Sequence, residues 1–184
     1  MTIEPAPASN HSAGAARLLV IEPNRCALDV LTKRLGERGY RLVACESADN
    51  AIAEMHRAPV DLLLAELRMA PISGVELTRA IRDDIVLKDT PVILITGKSD
   101  SAGAVDGFGA GADDVVAKPF HFEVLAARIT RRIARAKAVK ELRHDNAALD
   151  ARVVTRAIEL GEIRARFEQS EAERLRLERL VSRA

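Results

Sequence analysis

Between Arg17 and Arg135 the chain alternates short, almost continuous apolar runs with stretches whose apolar residues recur every three or four positions. Leu18-Leu19-Val20-Ile21 reads as a buried strand, and the next stretch, Ala27 to Arg38, carries Leu28, Leu31 and Leu35 on one helical face. Asn24 is placed to cap that helix and Gly39 to end it. The same pattern predicts strands at Arg41–Cys45, Val60–Ala65, Val92–Ile95 and Val115–Ala117. It places helices at Ala48–Arg57, Val75–Asp83 and around Ala102–Gly109, with a last one opening after Pro119.

Five strands alternating with five helices define an α/β fold, a five-stranded parallel, doubly wound sheet covered by helices on both faces. In such sheets the functional crevice lies at the carboxyl ends of the strands. Those ends carry Glu22-Pro23-Asn24, Glu66, Thr96-Gly97 and Lys118-Pro119. Two carboxylates, a hydroxyl and an ammonium are thereby expected in one place.

These residues resemble the receiver domain of two-component response regulators over about Arg17 to Arg135. Leu18 to Asn24 corresponds to the family's first strand and its acidic pair, and Asp61 to Met69 with Ser73 to Leu77 to the phosphoacceptor strand and loop. Thr90 to Gly97 corresponds to the fourth strand with its hydroxyl, and Gly109 to Phe120 to the end of the domain. The resemblance implies a flavodoxin-like fold and a place in phosphorelay signal transduction. It makes Glu66 the phosphoacceptor equivalent, Glu22 and Pro23 the equivalent of the acidic pair, and Thr96 and Lys118 the residues that would engage phosphoryl oxygens.

The departures from the family pattern are chemical. A receiver normally presents an Asp and an acidic pair to one Mg²⁺, a small hard cation that demands oxygen ligands. Here Pro23 offers no side-chain oxygen, and Glu22 and Glu66 are each one methylene longer than Asp. Phosphoryl transfer depends on positioning, so Mg²⁺ binding is expected to be lost or weak, no cofactor is expected, and the site is expected to be non-catalytic. Val115 stands where the family usually has a switch aromatic. Two readings of Glu66 stay open: it mimics the phosphorylated state toward Thr96 and Lys118, or it is held in a structural pair with Lys118.

After Pro119 the sequence contains no proline and one glycine, Gly161. A continuous helix from Glu123 to Arg183 would be on the order of 90 Å long. Its first turns complete the receiver. From residue 139 a heptad seam follows through Val139, Leu142, Asn146, Leu149, Val153, Arg156, Leu160, Ile163, Phe167, Ser170, Arg174, Leu177 and Val181, and nine of these thirteen are apolar. That pattern predicts a coiled coil, with Asn146 at an a position as the register-setting polar residue of a two-stranded state. Arg156, Ser170, Arg174 and Gly161 weaken its distal half. The segment also resembles signalling helices that lead to output domains such as cyclic-di-GMP enzymes or histidine kinases, which leaves the alternative that this is the regulatory part of a longer output enzyme.

Three parts are expected: a disordered leader over residues 1–16, a receiver-like domain over 17–135 and a coiled-coil extension over 136–184. Composition narrows the partners. Lys and Arg number 28 and Asp and Glu 27, and the balance holds along the chain, so no basic arm for nucleic acid is evident. Apolar runs are far shorter than a bilayer span, and two cysteines build no disulfide framework. His144-Asp145 lacks the neighbours of a metal site. The expected protein is cytoplasmic, forms a homodimer through its coiled coil, and acts on a protein partner of a signalling pathway, with neither nucleic acid nor membrane involved.

Overall fold

The computed structural model describes residues 15–182, with the side chains of 154, 173 and 175–181 left aside; the expected leader lies almost wholly outside the described residues. Ten elements follow in strict alternation. They are β1 (Arg17–Ile21), α1 (Arg25–Gly36), β2 (Arg41–Cys45), α2 (Ala48–Arg57), β3 (Leu62–Glu66), α3 (Gly74–Asp83), β4 (Val92–Thr96), α4 (Ser101–Gly109), β5 (Asp114–Ala117) and α5 (Phe122–Val181). The strands form one sheet in the order β2-β1-β3-β4-β5, and every pairing is parallel.

Alternation along each strand splits the core into two layers, because successive side chains of a strand point to opposite faces. Leu18, Val20, Leu62, Leu64, Ile93 and Ile95 pack with Leu28, Leu31 and Leu35 of α1 and with Leu125, Ile129 and Ile133 of α5. Leu19, Ile21, Leu63, Ala65 and Leu94 pack on the other face with Ala51 and Met55 of α2 and Leu77 and Ile81 of α3. A strand apolar at every position is therefore what a sheet covered on both sides requires.

Helix starts follow local chemistry. Asn24 accepts from the Ala27 amide, and Ser73 with Glu76 forms a complete capping box at α3. Most element boundaries lie within a residue or two of the expected ones, and two of the shifts have a visible cause. β3 begins at Leu62 rather than Val60, because Asp61 turns its carboxylate to the Arg17 amide at 2.8 Å and closes the edge of β1. α1 ends at Gly36, three residues before Gly39, whose φ of 86° carries the turn into β2.

The chain divides into two compact units, Met1–Ala136 and Lys137–Ala184. In the second, Val139, Leu142, Leu149, Val153, Leu160, Ile163 and Phe167 are all exposed large apolar side chains, and Asn146 is exposed among them. Leu177 and Val181 fall among the side chains not described. No helix among the described residues is long and apolar enough to cross a membrane.

Candidate functional site

Parallel pairing brings the strand ends level. Glu66 is in register with Ile95, and Thr96 with Ala117. Past those pairs the backbone continues the ladder: Leu67 N donates to Ile95 O and Lys118 N to Thr96 O, both at 2.7 Å. Glu22, Glu66, Thr96 and Lys118 therefore meet at one edge of the sheet because four strands end there.

The centre is a three-residue ionic cluster. Lys118 Nζ donates to Glu22 Oε2 and to Glu66 Oε2, each at 2.7 Å. The carboxylates are almost sealed from solvent, with side-chain exposures of 5% and 12%, whereas Lys118 is 39% exposed. Their other oxygens are occupied too: Glu22 Oε1 accepts from the Asn24 amide at 3.0 Å, and Glu66 Oε1 from the Arg68 amide at 3.4 Å. Burial disfavours the ammonium, but its hydrogen bonds and attraction to Glu22 and Glu66 outweigh that, so Lys118 is held above the ordinary lysine range.

Glu66 also governs how α3 approaches. A Cβ at Gly74 would lie 2.6 Å from the Glu66 carbonyl oxygen and 3.0 Å from Leu67 Cα. Glycine at that position is what lets the amino terminus of α3 close against the end of β3, where Gly74 N donates to Leu67 O at 2.9 Å.

Thr96, 2% exposed, sits beside this cluster, and its hydroxyl donates to Asp100 Oδ2 at 3.3 Å. Asp100 caps α4 through the Gly103 amide at 2.9 Å. It also takes Arg68 in a two-point contact, Nε to Oδ2 at 2.7 Å and Nη2 to Oδ1 at 2.8 Å. The Arg68 hydrogen bond, then the Gly103 amide, hold the Asp100 carboxyl down at about 2. Sequence reading missed this pair, since Arg68 and Asp100 look like solvated loop charges; the only available signal was Asp100 three residues before Gly103 at a helix start.

Pro23 is exposed beside Glu22, and Val115 is half-buried, packed on the layer that holds Leu67 and Leu94. A second buried acid, Asp114 of β5, accepts from Arg128 Nη1 at 2.9 Å on both oxygens and faces Arg132 at 3.6 Å, which ties β5 to α5. Among the described residues no group of three His, Cys, Asp or Glu could hold a metal ion.

A doubly wound sheet with acids ending its first and third strands, a threonine ending the fourth and a lysine following the fifth is the architecture of a receiver-type signalling domain. Residues 18–130 match the family model described as response regulator receiver domain, and the chain belongs to that family of two-component signalling. It is 33% identical over 127 residues to the transcriptional regulatory protein YvrH of Bacillus subtilis, covering 68% of this chain and 52% of that one. A solved putative response regulator from Chloroflexus aurantiacus superposes with a TM-score of 0.63 at 26% identity, covering 65% of this chain and 98% of that chain. The receiver domain of a signal transduction histidine kinase from Syntrophus aciditrophicus superposes with a TM-score of 0.62 at 28% identity, covering 65% and 91%. The chain spans about half the length of the curated relatives it matches.

Proposed function

We propose that this chain is an atypical receiver whose signalling does not depend on phosphorylation, and that it acts as a dimeric protein-interaction or relay module. The observation that carries this reading is Lys118 shared at 2.7 Å by Glu22 and Glu66. A hard cation in that place would need several free oxygens. Pro23 supplies none, and all four carboxylate oxygens of Glu22 and Glu66 already accept hydrogen bonds from the chain itself. The donor set does not suit Mg²⁺.

Of the two roles open to Glu66, the structural one has the better support. Its carboxylate engages Lys118 and the Arg68 amide, while the Thr96 hydroxyl turns to Asp100. Val115 in place of an aromatic leaves no ring to rotate. The reading is therefore of a fixed domain that offers its surface to a protein partner.

Pairing rests on the second unit. Its exposed seam from Val139 to Phe167 is the surface a second copy of the same helix would cover, with Asn146 facing its equivalent. Leu142→Asp combined with Leu149→Asp is expected to convert a dimer into a monomer in light scattering at tens of micromolar. A parent chain that is monomeric under those conditions contradicts the reading. A second reading is that the chain is the regulatory part of a longer output enzyme with α5 as its transmission helix; the observation that favours it is that α5, 60 residues from Phe122 to Val181, runs far past the receiver match at residues 18–130.

A further inference from the structure

Two loops flank the ionic cluster, residues 67–73 between β3 and α3 and residues 97–100 between β4 and α4, and one side chain joins them. Asp100 accepts from Arg68 of the first loop through both carboxylate oxygens, from the Thr96 hydroxyl at the end of β4, and from the Gly103 amide in the first turn of α4. The sequence leaves room for this. A Cβ at Gly103 would lie 2.7 Å from Asp100 Cγ, so only glycine there allows the carboxylate to tuck over the helix start. Glycine is a poorer helix former than alanine, a cost offset where the position serves the carboxylate.

We propose that Asp100 is a resident ligand for the Thr96 hydroxyl and Arg68, a clamp that fastens the β3–α3 loop to the start of α4 and holds both in one arrangement without any bound group. The proposal concerns conformation and goes beyond the functional reading: it stands whether or not Glu66 can accept a phosphoryl group. The depressed Asp100 carboxyl, at about 2, keeps the clamp ionised at every ordinary pH. The charged groups that act on the pair are Arg68 and Asp100 themselves and Asp106, which favours the Arg68 guanidinium from α4. Arg68 is well exposed, with 64% of its side chain accessible, so the clamp is tight in geometry and accessible to a partner.

A cap alone would hold α4 and leave the β3–α3 loop unaffected, and this difference defines the experiment. Amide hydrogen exchange is followed by mass spectrometry on the full chain and on three variants, with the core strands β1 and β4 as an internal measure of intact folding. Arg68→Gln leaves the Asp100 cap in place and removes the link. Exchange is expected to accelerate about threefold in both the β3–α3 loop and the first turn of α4, on the scale of an exposed two-point ion pair. Asp100→Ala is expected to accelerate both segments further. Gly103→Ala changes no charge and raises helix propensity, which alone would slow exchange; because its Cβ would displace the Asp100 carboxylate, faster exchange in α4 is the expected result. An Arg68→Gln variant whose α4 exchange matches the parent overturns the clamp and leaves Asp100 a helix cap only. Slower α4 exchange in Gly103→Ala overturns it as well.

Discussion

At the scale of single residues the site is decided by Lys118. Its ammonium is the sole cation in contact with the two nearly sealed carboxylates of Glu22 and Glu66 among the described residues. Lys118→Met should therefore destabilise the fold by about 3–5 kcal/mol, the usual consequence of stranding a buried charge. Adding Glu22→Gln and Glu66→Gln to that variant should recover most of the loss, because no unpaired charge then remains. Chemical denaturation at pH 7 measures both. The raised Lys118 also sets a direction in pH. Its contribution is fully present below the ordinary lysine value and is lost as pH rises through the folded value, so the parent should lose stability above about pH 10.4 and the triple variant should lose less. Asp100 acts in the opposite sense: its contribution is present above the ordinary carboxylate range and lost as pH falls toward about 2.

At the scale of elements, close backbone approach matters as much as charge. Gly74 stands where β3 hands over to α3, and alanine there meets the Glu66 carbonyl at 2.6 Å. Gly74→Ala should cost about 1–3 kcal/mol by forcing backbone apart, and chemical-shift changes should centre on Glu66 and Leu67 rather than on the distal end of α3. Element order and, to within a residue, strand ends were legible in the sequence because the two dominant signals, near-continuous apolar runs buried on both faces and amphipathic helices between them, agree with the fold at every step. The meeting of Glu22, Glu66, Thr96 and Lys118 followed from the rule for parallel sheets. What each group bonds was less legible. Glu22 shares Lys118 equally with Glu66, and Thr96 turns away to Asp100, because these choices depend on loop geometry rather than on strand pattern. The Asp114 pairing with Arg128 was also hidden, since a carboxylate opening a strand of an otherwise apolar run gives no sign of its partner on a later helix.

At the scale of the whole molecule, a receiver fold and a long helical segment sit in one chain of nearly balanced charge. Each unit carries its own part of the account. The receiver unit holds a site whose oxygens and ammonium satisfy one another, and the helical unit carries an exposed apolar seam. The central claim is that the receiver signals without accepting a phosphoryl group. The most direct measurement is intact-mass spectrometry of the chain after incubation with acetyl phosphate and Mg²⁺, beside the Glu66→Asp, Pro23→Asp variant that rebuilds the acidic site. The account predicts an unmodified parent chain; a stoichiometric acyl phosphate on Glu66 or on Glu22 would contradict it.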